Sequence, residues 1–320
     1  MKEWIDRFTK SAICALICAL VLASCGGSSS SVSQSDGPLP ELVIGGIPDQ
    51  ETCRLEERFK SFVQYLDESD LVEGRDLTIR YQPADDYADI VAKFANGEIQ
   101  LGWFGALAGV QARFLVQDSQ AIAQRDEDDR FRSVFVVRAD LPATTLLDLA
   151  GYKFTFGDEL SASGRLMPEY FLGLEGIENP VMFFSEVGYS GSHDRTWQLV
   201  QEGEFEAGAL SKTVWDRAVA AGIVDPEAVR VLTITTPYHN YHWLAHPSID
   251  ENYGDDAIER LQEIIIDLDD SYESSMQGIC DEGSDVNILE NFKTSGFKPT
   301  KNSNYNNISS TAEKLDLWQS

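Results

Sequence analysis

Short apolar runs alternate with segments whose apolar residues recur every three or four positions, from residue 42 to residue 268. That rhythm is the strongest constraint on what this chain can fold into. Leu42–Ile47, Leu77–Tyr81, Ile99–Phe104, Ser133–Val137, Lys153–Phe156, Val181–Phe184, Phe205–Leu210 and Val229–Ile234 read as strands. Between them, Leu55, Phe59, Phe62, Val63 and Leu66 fall on one helical face, as do Tyr87, Ile90, Val91 and Phe94 behind a capping Asp85 or Asp86. A small-residue helix runs from Gly105 through Arg113. Further helices are expected around residues 163–174, 193–202 and 214–221, and Ile258, Leu261, Ile264, Ile265 and Leu268 mark a long amphipathic helix near the C-terminus. Strands that alternate with helices in this way predict an α/β fold of mostly parallel sheets covered by helices. No repeat period is visible.

Length then sets the number of lobes. The chain has 320 residues, enough for two lobes at roughly 100–200 residues per domain. Ser133–Val137 and Tyr241–Ala245 are each followed by a turn, at Ala139–Pro142 and His246–Ser248, and read as strands crossing between lobes. The expected division is 41–135 with 239–315 in lobe 1 and 136–238 in lobe 2. The balance of 25 basic against 53 acidic residues gives a net charge of −28. That excludes a phosphate backbone as partner, which needs clustered Lys and Arg, and it excludes electrostatic docking on anionic lipid.

The N-terminus is an address. Lys2, Arg7 and Lys10 precede an unbroken small or apolar stretch, Ser11–Ser24. It is too short for a spanning helix, which needs about 20 apolar residues, and suits a signal-peptide core. Leu22-Ala23-Ser24-Cys25 resembles the lipobox of bacterial lipoproteins, in which the cysteine is acylated and becomes the mature N-terminus; an ordinary secretory signal with an incidental cysteine is the alternative. Residues 25–40, rich in Gly and Ser, read as a flexible tether. Removing residues 1–24, with their three basic and two acidic residues, leaves a net charge of −29. Cys14 and Cys18 depart with the signal. Cys53 and Cys280 remain, in an oxidising compartment that permits either a disulfide or two separate buried thiols.

The segment Phe156–Arg165, Phe-Gly-Asp-Glu-Leu-Ser-Ala-Ser-Gly-Arg, leaves a strand and opens a helix. Such a junction collects N–H groups that the first turn leaves unpaired, the positive end of the helix dipole and two donor hydroxyls. It suits a tetrahedral oxyanion and needs no formal positive charge. The spacing also fits a plain N-cap at Ser161 or Ser163. Gly188–Asp194 repeats the design, with Ser192 as cap and His193 placed to reach an anion or simply to pack.

From Phe156 to Leu172 the chain resembles the signature of the phosphonate/phosphite-binding proteins of ABC importers. Gly191–Asp194 matches that family's second segment, and the run from Asp86 through Gly97 to Trp103-Phe104-Gly105 is similar to its first-lobe pattern. The resemblance implies a two-lobed, type II-like periplasmic binding fold that closes by hinge motion on an oxyanion, with no catalysis and no cofactor. By position, the binders are Ser161, Ala162, Ser163, Gly164 and His193, joined by Trp103 and Gly105; Tyr238 is read as cleft-lining. Implied partners are a small oxyanion and permease and ATPase subunits, with a monomer held to the membrane through Cys25. The chain departs from the pattern at Ala162, where a threonine is usual, and in Phe104–Val110, which lacks the usual proline and tyrosine. Gly46–Glu51, Ala121–Asp126 and Pro237–Trp243 resemble a subgroup linked to selenate uptake.

Ligand charge offers a discriminator. Hydrogen phosphite and its relatives carry a proton that a pocket carboxylate accepts, whereas selenate and sulfate have none. Glu206, Asp194 and Asp49 are the candidate acids. Tyr238, His239, Tyr241 and His242 would line the cleft or pack at the hinge. A metal at His239, His242 and His246 is disfavoured, because a strand turns His239 and His242 to opposite faces. The remaining alternatives are a hydrolase using Ser161 and His193, which would lack a Gly-x-Ser-x-Gly elbow, and a ligand-sensing lipoprotein outside transport.

Overall fold

The computed structural model describes residues 38–280 and 283–317. The signal segment, most of the tether and the lipid-attachment candidate Cys25 lie outside the described residues. Among those described, no helix is long and apolar enough to cross a membrane.

The chain enters through β1 (Leu42–Gly46), α1 (Thr52–Asp67), β2 (Ile79–Tyr81), α2 (Tyr87–Ala95), β3 (Leu101–Phe104), α3 (Ala106–Leu115) and β4 (Gln120–Arg125). A second run follows, with β5 (Ser133–Arg138), β6 (Lys153–Phe156), α4 (Met167–Leu174), α5 (Pro180–Phe183), β7 (Glu186–Tyr189), α6 (His193–Gln201), β8 (Ala207–Ser211), α7 (Lys212–Ala220) and β9 (Val229–Ile234). The chain then returns through β10 (His242–Ala245), α8 (Ser248–Tyr253), α9 (Ala257–Asp267), α10 (Ile288–Phe292), β11 (Phe297–Pro299) and α11 (Asn306–Lys314). These strands make two sheets, ordered β11-β4-β10-β3-β1-β2 and β7-β6-β8-β5-β9, which define two lobes.

The sheets are mixed, where the strand–helix rhythm predicts mostly parallel ones. β1 runs parallel to β2 and β3, and β6 parallel to β7 and β8. β10 and β5, the strands next to each crossing, run antiparallel to their neighbours. A chain that returns from the other lobe enters the sheet from the opposite end, so it cannot join in the βαβ sense. The crossings themselves are segments 126–132 and 235–241, tied by an antiparallel bridge between Phe131 and Tyr238. β5 belongs wholly to the second sheet, so the chain crosses just ahead of it.

Val181–Phe184 is not a strand. Asn179 accepts the Met182 N–H with Pro180 at the first helical position, and that cap turns the segment into α5; the strand comes next, as β7. β5 shows why its lobe needs cover on both faces. Phe135 and Val137 join the cluster of Phe154, Phe156, Leu172 and Phe184, while Val134 and Val136 join that of Trp197, Val200, Leu210 and Trp215. Lobe 1 is built around aromatic rings, with Phe62 stacked on Trp243 at 4.6 Å and Phe292 against Trp103 at 5.3 Å. A disulfide joins Cys53, at the start of α1, to Cys280.

Candidate functional site

The serine segment leaves β6, flanked in its sheet by β7 and β8. Gly157 donates its N–H to the Gly164 carbonyl at 2.9 Å, and a Cβ on Gly164 would lie 3.0 Å from the Gly157 Cα. The loop closes that tightly only on two glycines. Ser161 caps the turn that follows, its Oγ accepting the Gly164 N–H at 2.9 Å. Its carbonyl takes the N–H groups of both Arg165 and Leu166 at 3.0 Å, so Ala162–Leu166 is a turn of π-helix before α4 begins. Such single π turns concentrate at functional sites. At the head of the turn, the Ala162 and Ser163 N–H groups have no intrahelical carbonyl to meet. Ser161 and Ser163 are 3% and 1% exposed, buried where a mere surface cap would be wet.

Tyrosine hydroxyls close around these serines. Tyr87, at the start of α2, lies close to Ser161. Tyr238, in the second crossing, bonds Ser133 at 2.6 Å and lies close to Ser163. Burial drives both phenols well above their usual range, so they stay neutral and able to donate.

His193 opens α6, capped by Ser192. Its Nδ1 accepts the N–H of Ser211 at 3.3 Å, which assigns the proton to Nε2 in the neutral ring. Nε2 faces Ser163 Oγ at 3.3 Å and the Tyr241 hydroxyl at 3.4 Å. Burial lowers the pKa of His193, with Asp49 and Asp194 opposing the shift and Arg217 adding to it. A neutral ring whose free nitrogen carries hydrogen is a donor. It cannot take a proton from a serine, which removes the hydrolase arrangement of Ser161 and His193.

Opposite His193 stands Asp49, just beyond β1 and 2% exposed. Tyr241 donates to its Oδ2 at 2.8 Å, while Oδ1 has no hydrogen-bond partner. Arg58 supplies the counter-charge, Nη1 standing 3.9 Å from Oδ1. Tyr241 packs with two flat groups that also touch each other, the Trp103 ring stacked on it at 5.7 Å and the Arg125 guanidinium 4.7 Å from its centroid and 5.5 Å from that of Trp103. Arg125 is in turn gripped by both oxygens of Asp128, at 2.7 and 2.8 Å.

The structure thus brings Ser161, Ala162, Ser163, Gly164, His193 and Tyr238 together, and Trp103 beneath them as a support for Tyr241. Gly105 caps α3, where Asn240 Oδ1 accepts the Ala106 N–H at 3.0 Å. Of the three candidate acids, Asp49 is the one joined to His193, through the Tyr241 hydroxyl. Glu206 accepts the Lys153 N–H in the sheet, and Asp194 pairs with Arg217 at 3.6 Å beside the site. His239 bonds Gln124, and His242 donates to the Asn240 carbonyl and stacks on Tyr305 at 4.1 Å. Among the described residues no group of three or more His, Cys, Asp or Glu is arranged to hold a metal. Sequence reasoning missed Tyr87, Arg58 and the primary place of Tyr241. A buried phenol next to a helix start carries no signal of its own until the facing loop is known.

Comparison with known proteins fits this geometry. Residues 44–305 match the model of the ABC transporter, phosphonate, periplasmic substrate-binding protein family. The chain is 36% identical to the probable ABC transporter phosphite binding protein PhnD1 of Prochlorococcus marinus MIT 9301, covering 86% of this chain and 90% of that one. It is 22% identical to the phosphate-import protein PhnD of Mycolicibacterium smegmatis, over 93% and 94% of the two chains. The solved structure of Prochlorococcus PhnD1 in complex with methylphosphonate superposes with a TM-score of 0.77 at 35% identity, over 87% of this chain and 98% of that one. With two α/β lobes and a family match across nearly the whole described chain, the protein is a member of the phosphonate substrate-binding protein family of ABC transporters.

Proposed function

We propose that this protein captures a small, monoprotonated phosphorus oxyanion, hydrogen phosphite or a short alkylphosphonate, between its lobes and delivers it to an ABC permease and ATPase. The observation that carries the reading is Asp49 Oδ1, buried without a hydrogen bond beside Tyr241 and 3.9 Å from Arg58 Nη1. Ser163, His193 Nε2–H, the tyrosine hydroxyls and the head of the π turn would satisfy the ligand's bare oxygens. The carboxylate would accept its remaining proton. Selenate and sulfate lack that proton and would meet Asp49 as a like charge. Prochlorococcus PhnD1, whose structure holds methylphosphonate, supports the ligand class. The sequence at Leu22–Cys25 supports a lipid anchor on Cys25, with the domain a monomer outside the cytoplasm.

Titration calorimetry at pH 7 with phosphite, methylphosphonate, phosphate, sulfate and selenate tests this. Phosphite or methylphosphonate is expected to bind one-to-one, and selenate and sulfate at least about 100-fold more weakly. Asp49→Asn is expected to weaken phosphite binding by about 10–100-fold, the worth of one charge-assisted hydrogen bond, and to narrow the gap to selenate. Selenate binding as tightly as phosphite would sink the proposal.

A further inference from the structure

Arg217 lies on α7, in lobe 2, with its side chain 26% exposed. Its Nη1 donates to Gln50 Oε1 of lobe 1 at 2.6 Å, and its Nη2 pairs with Asp194 Oδ2 of lobe 2 at 3.6 Å. Gln50 directly follows Asp49, and Asp194 directly follows His193. One guanidinium therefore holds the chain neighbours of the two groups that face each other across the cleft, one from each lobe. The same helix begins at Ser211, whose N–H fixes the His193 tautomer. Anything that draws α7 toward lobe 1 also seats the histidine.

We propose that Arg217 is an interlobe clasp, a positioning residue that favours the closed state and slows release of the bound anion. Its planar fork suits the task, because it holds two donors in fixed directions toward two acceptors, whereas an ammonium is a compact charge on a flexible stem. The clasp lies outside the serine loop and touches no group assigned to the ligand. It draws on the proposed ligand only for the second readout below.

Single-molecule energy transfer between dyes on Glu73 of lobe 1 and Glu178 of lobe 2, both exposed, reads closure without any ligand. The ligand-free wild type is expected to sample a closed population, and Arg217→Met to lower the closed-to-open ratio by about tenfold, one charge-assisted contact. Gln50→Ala should do the same, and the double variant should add little to either single change, since both remove one contact. Arg217→Lys should restore part of the loss. The absence of a closed population in the wild type, or an unchanged ratio in Arg217→Met, would overturn the clasp. For methylphosphonate, Arg217→Met should raise the dissociation rate about tenfold and leave association nearly unchanged; a loss confined to association would also overturn it. Failure of the wild type to bind any phosphorus oxyanion strikes the ligand proposal alone, and the closure measurement still decides the clasp.

Discussion

Asp158 is half-buried at the entry to the serine loop, where its Oδ1 accepts the Leu160 N–H at 2.8 Å. Burial raises its pKa to about 6 against the help of that bond, and the nearby carboxylates of Asp86 and Glu159 push the same way. The sign follows from the unfolded chain, where an aspartate titrates near 3.9. Below about pH 4 both states hold the proton and nothing is lost. Between pH 4 and 6 the unfolded chain ionises more readily, so this residue lowers stability as pH climbs and costs its full amount above 6. Asp158→Asn keeps the acceptor and drops the charge. Its melting temperature is expected to exceed wild type by about 2 °C at pH 7.5, roughly 1 kcal/mol after solvent screening, and to match it at pH 4. An equal gain at both pH values would assign the effect to packing. At this scale the serines and His193 were legible in the sequence, because glycine- and serine-rich helix starts advertise their unpaired amides. Asp49 and Tyr241 were only named as possibilities, since the contact between them spans 192 positions.

At the scale of elements, the Gly157–Gly164 closure carries the site. A methyl on Gly164 would sit 3.0 Å from the Gly157 Cα and from Ser161 Oγ, and the backbone of the opposing glycine cannot step aside. Gly164→Ala should cost about 1–3 kcal/mol of stability by overpacking and weaken phosphite binding more than that loss alone implies, because the Ser161 cap is displaced. Chemical denaturation and calorimetry on the same variant separate the two effects. Helices were legible where their faces are simply amphipathic: α6 and α9 fall within a residue or two of the expected spans. β4 is hard to see in the sequence, because Gln124 and Arg125 look like surface residues. They are 1% and 6% exposed, paid for by Arg125–Asp128 pairing and by the Tyr305 hydroxyl's bond to Gln124. Val181–Phe184 sends mixed signals, its apolar run favouring a strand while Asn179-Pro180 starts a helix, and the cap prevails.

For the whole molecule, charge is unevenly placed, with cations gathered and paired inside an acidic chain. Arg58, Arg125, Arg217 and Lys293 all line the cavity beside Asp49 and Tyr241, while the surplus carboxylates sit on surface that salt screens within about 8–10 Å. The disulfide works at this scale as well. It links residues 227 apart, tying α1 to the C-terminal part of lobe 1, and closing so long a loop restricts the unfolded chain strongly. Cys53→Ser with Cys280→Ser should lower the melting temperature by at least about 5 °C, from a cost of roughly 2–5 kcal/mol. An unchanged melting curve would mean that the two segments are held by packing alone.

The bridge between the crossings has a further consequence. Phe131 and Tyr238 exchange backbone N–H to carbonyl bonds at 3.0 Å in both directions, which pins the two strands of the joint side by side. When one body swings about another, points on the axle turn in place without travelling. Tyr238 is such a point, its hydroxyl held by Ser133 at 2.6 Å close to Ser163. In the proposed closure His193 and Asp49 would travel toward each other, whereas this phenol would hold its station. On the proposed reading, an arriving anion would find one partner already in place at the fulcrum, and the remaining groups would sweep in around it.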